Sequence, residues 1–267
     1  MRAGRLAFNA VVVAAFAIAV APLALVVWLS FVSNEILVLP PEGYSLRWYG
    51  AMLGQPQFLQ GFRLSLLVAL ASATAGLLVS VPAAFAIVRG RFPGRQAVLQ
   101  LLTAPLAVPA IALGAAVYVA FVETEVQTGL ELTGATLGLG AAHTLLTIPW
   151  CLRLLVANLQ GLDRSVEEAA WSLGAPPAAT TWLVTLPLIR PGLVAATLFS
   201  FVVSFGNLEV SLFLVAPGQT TLPIAVLQYL QWKVDPVIAA VSTVQIAVVG
   251  AGLLLTSRFV PLAKVVG

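Results

Sequence analysis

Residues 64–88 read LSLLVALASATAGLLVSVPAAFAIV, an apolar run without a charged side chain, bracketed by Arg63 and Arg89. Crossing about 30 Å of hydrocarbon takes roughly 20 apolar residues, so this stretch spans a bilayer as one helix. A backbone in lipid must satisfy its own N–H and C=O groups, which a helix does and an open strand does not. Stretches of the same kind lie at about 8–32, 98–121, 135–157, 192–215 and 237–260. The fold class expected is therefore all-α, a polytopic membrane protein with six transmembrane helices. Composition agrees. Of 267 residues, 60% are hydrophobic and 9% charged, where soluble domains carry about 25% charged residues. Mean hydropathy is +1.03.

Prolines fall inside several of these runs: Pro22, Pro82, Pro105, Pro109 and Pro149. Pro105 and Pro109 share one helix face, so they are expected to kink the third span. The start, Met1 to Arg5 followed by an apolar run, has the outline of a secretory signal, and Ala19-Val20-Ala21 resembles a cleavage site. Pro22 follows directly and the run continues to Val32, which points instead to an uncleaved first helix.

The net charge of +3 is not gathered into a nucleic-acid patch. Basic residues sit in short segments between apolar runs, where they set orientation. With the N-terminus inside, Arg2, Arg5, Arg89, Arg91, Arg95, Arg153, Arg164, Arg190, Arg258 and Lys264 are cytoplasmic. Arg47, Arg63 and Lys233 are outside, with Glu35, Glu42, Glu123, Glu125, Glu131 and Asp235. Ten inside against three outside places both termini in the cytoplasm. The lone Cys151 has no disulfide or zinc partner in the chain. The lone His143, in the fourth span, is read as an interhelical hydrogen-bonding group. No phosphate-binding loop of the G-x-x-x-x-G-K-S/T kind is present, so any ATP chemistry belongs to another polypeptide.

The second inner loop, 158–191, is the longest on the cytoplasmic side and carries Asp163-Arg164-Ser165-Val166-Glu167-Glu168. Ser165 with Glu168 fits a capping box, opening a short helix from about Val166 to Leu173. Gly174 ends it in the left-handed conformation. A second helix starts at Pro176-Pro177, and Pro187 and Pro191 end it before the fifth span.

Glu168-Ala169-Ala170, three residues, Gly174, nine residues, then Val184-x-Leu186-Pro187 resembles the EAA loop of type I ABC importer permeases, with Val in place of Ile. The resemblance extends from about 60 to 260. It implies a permease fold with an N-terminal helix and outer loop (1–60), a permease core (61–260) and a cytoplasmic tail (261–267). It also implies that Glu167, Glu168, Ala169, Ala170, Gly174, Leu186 and Pro187 couple the chain to an ATPase. Glu168→Lys or Gly174→Asp should then leave the protein inserted but abolish uptake. The partners implied are two ATP-binding subunits, a second and homologous permease, a solute-binding protein and membrane lipid, with no nucleic acid. The chain itself holds no cofactor or metal; ATP and Mg belong to the ATPase. The location implied is the bacterial inner membrane.

Ser200, Ser204, Asn207 and Ser211 follow i, i+4, i+7, i+11 spacing and form one stripe on a helix. Polar groups at membrane depth face a bundle interior or a water-filled cavity, so the stripe is expected to line the translocation pathway, interhelical glue being the alternative. Glu209 is the only acid deep in an expected span; it suits a cationic solute, pairing with an Arg or a partner subunit being the alternative. Ser45-Leu46-Arg47-Trp48-Tyr49, Ser211 to Gly218, Thr221-Leu222-Pro223 and Asp235-Pro236-x-Ile238-Ala239-Ala240 resemble the shorter permease of spermidine/putrescine-type importers. That group also takes opines, phosphonates and iron(III). Members of its polyamine branch often show acidic residues after Ser-Phe in the fifth span, whereas here Gly206-Asn207 follow Ser204-Phe205, with an acid only at Glu209. A secondary transporter or a membrane scaffold would leave the loop match without a reason.

Overall fold

The computed structural model describes residues 2–36 and 40–257. Arg258, Lys264, the end of the sixth expected span and the tail 261–267 lie outside the described residues. Helices follow one another as α1 (Arg2–Leu29), α2 (Arg47–Leu53), α3 (Pro56–Arg89), α4 (Arg95–Thr103), α5 (Ala110–Thr128) and α6 (Thr136–Gly161). Then come α7 (Ser165–Ser172), α8 (Pro177–Thr180), α9 (Leu186–Leu188), α10 (Arg190–Phe205), α11 (Ser211–Leu214), α12 (Leu222–Trp232) and α13 (Val237–Ser257). Among the described residues, five stretches are long and apolar enough to cross a membrane: Phe8–Leu29, α3, α5, α6 and Val237–Thr256. A sixth exists if Pro177–Leu188 and Arg190–Phe205, bent by 68°, form one broken span. Pairing between strands is confined, among the described residues, to one bridge, Val32 with Tyr44.

Two expected spans are corrected. The third is broken where a kink was anticipated: α4 stops at Thr103, a 3-10 turn covers Ala104–Ala107, and the crossing helix starts only at Ala110. Pro109 supplies no N–H and drives the residue before it out of the helical region; Val108 is extended, at φ −97° and ψ 133°. The fifth is likewise interrupted, with α10 ending at Phe205 and α11 resuming at Ser211. A third correction concerns Pro187, which does not stop the second loop helix. The path stays helical to Leu188 because a wide π turn, Thr181–Thr185, precedes the proline and makes room where its ring would strike the previous turn.

The chain divides into two compact units, Met1–Leu59 with Ala225–Ala251, and Gln60–Ile224 with Gly252–Gly267. In the first, α1 is exposed over residues 8–25, a surface suited to lipid. The segment that follows is pinned by Trp48 Nε1 donating to the Val32 carbonyl at 2.6 Å and by a Ser30–Tyr49 hydroxyl pair at 2.7 Å. Asp235, buried, accepts from the Val237 N–H at 3.0 Å and so caps α13. It also accepts from Tyr229 at 2.9 Å and pairs with Lys233 at 3.1 Å. Burial, then Asp235, push the Tyr229 hydroxyl up to about 12. Between the fifth and sixth expected spans, the stretch after Thr221 is largely the helix α12, with Pro223 in its first turn.

In the second unit α6 is the central helix, with residues buried along its length from Leu139 to Leu159. One end of the core joins Ala84 and Ile87 of α3, Cys151, Leu152, Leu155 and Leu159 of α6, and Ile189 and Ala196. The other joins Val68, Val117, Leu139, Ala142, Val210 and Leu214. Small residues set the spacing: a Cβ on Gly76 would lie 2.4 Å from Thr147 Oγ1, and one on Gly192 2.3 Å from Asn158 Cγ.

Candidate functional site

The 158–191 loop forms from its own sequence, though not as a capping box. Asp163 takes the role expected of Ser165: its Oδ1 accepts the Ser165 N–H at 2.9 Å, and that bond holds the Asp163 carboxyl below the usual carboxylate range. Glu168 instead reaches back toward Arg164 at 3.6 Å, with both side chains well exposed. At the other end Gly174 adopts φ +87°. The Ala175 N–H meets the Ala170 carbonyl at 3.1 Å and the Gly174 N–H meets the Trp171 carbonyl at 2.9 Å, the paired bonds of a Schellman stop.

The two adjacent glutamates part company. Glu168 is exposed, as are Ala169, Gly174 and Pro187, while Ala170 and Leu186 are half-buried. Leu173, beside them, is 90% exposed. Glu167, also expected on the partner-facing side, is turned inward and 3% exposed. Its Oε2 lies 2.8 Å from Arg89 Nε, a close ion contact with poor hydrogen-bond alignment, and its Oε1 accepts from Thr185 Oγ1 at 2.8 Å. One carboxylate thus joins the end of α3, the first loop helix and the π turn. Sequence reasoning missed Arg89 and Thr185, because only the folded chain brings residues so far apart in number together.

The serine stripe also faces inward. Ser200, Ser204 and Ser211 are all but fully buried, and each bonds another element. Ser200 meets Cys151 Sγ at 3.0 Å. Ser72 of α3 donates to Ser204 at 2.9 Å. His143 of α6 touches Ser204 through Nδ1 at 2.7 Å and Ser211 through Nε2 at 3.0 Å. Ser211 donates to the Asn207 carbonyl at 2.9 Å, so it accepts from His143. That assigns the ring proton to Nε2 and leaves Nδ1 to accept from Ser204. These three serines therefore act as interhelical glue, which leaves Asn207 and Glu209 of the five residues expected to line a pathway.

Those two lie in the Gly206–Val210 break. Asn207 is half-buried; its Oδ1 accepts the Val210 N–H at 3.0 Å and its Nδ2 donates to Glu209 Oε2 at 3.3 Å. Glu209 is exposed. A continuous helix would set this carboxylate about 200° from Asn207, whereas in the break the two side chains meet. Among the described residues no three His, Cys, Asp or Glu side chains gather as a metal would need.

The sequence profile of the family described as "Binding-protein-dependent transport system inner membrane component" matches residues 76–262. The putrescine transport system permease protein PotI of Escherichia coli (strain K12) is 34% identical over 231 residues, covering 86% of this chain and 82% of that protein. The spermidine/putrescine transport system permease protein PotC of the same strain is 26% identical over 264 residues, covering 99% and 97%. Among solved structures, a bacterial ABC transporter involved in the import of the acidic polysaccharide alginate contains a chain of TM-score 0.70 and 19% identity, covering 97% of this chain and 98% of that one. A chain of the MetNI methionine ABC transporter, in inward-facing conformation, gives 0.64 at 18% identity, covering 77% and 95%. At such identities the structures show a shared fold alone.

Proposed function

Because this chain belongs to the family of binding-protein-dependent transport system inner membrane components, we propose that it carries a small organic cation of the polyamine class. It is a membrane-embedded permease of an ABC importer, a class that works with an ATPase and a substrate-binding protein. The finer assignments are these. Two ATP-binding subunits seat the 158–191 loop in the cytoplasm, where both termini also lie. A second, homologous permease completes the pathway. The solute-binding protein meets the outer loops. Nucleotide and Mg stay with the ATPase, and this chain holds no cofactor.

The observation that carries the reading is the two-sided build of the loop. Its inner side is tied to α3 through Glu167 and Arg89, while its outer side presents Glu168, Ala169, Leu173 and Gly174. A push on the outer side therefore reaches the membrane through an ion pair rather than through a slack connection. The ligand class rests on the names of PotI and PotC and on the exposed Glu209 carboxylate at the helix break.

The test is uptake of radiolabelled putrescine by the complete complex in proteoliposomes. Glu168→Lys should keep normal insertion and lose uptake. Glu209→Gln should lower uptake of putrescine and leave ATP hydrolysis without substrate unchanged. Normal uptake by Glu168→Lys refutes the coupling assignment; normal uptake by Glu209→Gln refutes the cation assignment.

A further inference from the structure

We propose that His143 is the positioning residue that holds the broken fifth span in register and so fixes the place of Glu209. The inference rests on the reading of Glu209 as the pathway carboxylate, and its test is arranged to separate the two.

A helix that stops within a span leaves its last carbonyls and the next helix's first N–H groups without ladder partners, and in lipid each must be met from within the protein. The Gly206–Val210 break meets part of this need locally, through the Asn207 N–H to the Ser204 carbonyl at 3.2 Å and Asn207 Oδ1 to the Val210 N–H. Those bonds leave the angle between α10 and α11 to be set from outside. His143 does this with both ring nitrogens, one on Ser204 at the end of α10 and one on Ser211 at the start of α11. Among the described residues no other side chain is bonded to both flanks. The hydroxyl chain has one sense, Ser72 to Ser204 to His143 to Ser211 to the Asn207 carbonyl. It ends on the residue whose side-chain amide holds Glu209. His143 itself is 2% exposed, so it acts on substrate only through the break.

The experiment uses the complete complex, in a Cys151→Ser chain so that Glu209→Cys provides a single thiol. Labelling by a membrane-impermeant maleimide, applied to each face in turn, is compared with and without His143→Ala. Separately, putrescine uptake is measured with Glu209 intact. We expect His143→Ala to change the labelling rate several-fold and to raise KM about tenfold, the worth of one or two buried hydrogen bonds, with kcat little changed. His143→Gln, which keeps two polar ends, should recover much of both. Unchanged labelling together with unchanged KM overturns the proposal. Loss of both His143 variants from the membrane also overturns it, in favour of a core-folding role. If Glu209→Gln transports putrescine normally, the ligand reading fails, yet the labelling comparison still decides His143.

Discussion

Glu167 and Glu168 stand side by side, and what separates them is the hundred-degree turn that a helix takes at each residue. One carboxylate meets Arg89 at 2.8 Å and is 4% exposed; the other, 61% exposed, lies 3.6 Å from Arg164. An exposed pair contributes at most about 1 kcal/mol. Removing one partner of a buried pair costs about 3–5 kcal/mol, since the other charge is left stranded. Glu167→Ala should therefore lower the unfolding midpoint of the purified protein well beyond Glu168→Ala. The exchange Arg89→Glu with Glu167→Arg should regain part of the loss. Equal midpoints for the two alanine variants would show that the inner contact does not hold the loop.

Among the elements, α6 and α10 pack closely because Gly192 has no side chain where Asn158 lies. Asn158 is itself bonded to the Leu154 carbonyl at 2.9 Å, so it does not move freely. Gly192→Leu should cost about 1–3 kcal/mol through overpacking, seen as a lower unfolding midpoint in detergent; an unchanged midpoint would mean that the helices part without penalty. The loop helices obey a different control. Gly174 at φ +87° needs no Cβ, and a β-branched side chain there costs about 1–2 kcal/mol. The bend it sets is local, which is why it was legible in the sequence while the inward turn of Glu167 was not.

For the molecule as a whole, sidedness is the property on which coupling depends. In the orientation proposed from arginine and lysine placement, the 158–191 loop and the N-terminus lie on the cytoplasmic side. Single cysteines placed at Ser172 and at Gly129, in a chain carrying Cys151→Ser, should label from opposite faces of sealed vesicles. Labelling of Ser172→Cys from the outer face would leave an ATPase no access to the loop. The long apolar α1, exposed over residues 8–25, is itself a surface built for lipid.

Composition and the length of the apolar runs determined by themselves that this is a helical membrane protein, because the bilayer imposes a thickness and forbids open backbone. The spacing from Glu168 to Pro187 determined the family and the bend at Gly174, both being local patterns. Tertiary structure alone decided that the serine stripe is glue and that Glu167 answers to Arg89. It alone also left Glu209 exposed in a helix break, where it meets Asn207. Each of these depends on which face of one helix meets another, and a face is chosen by packing between residues far apart in the chain.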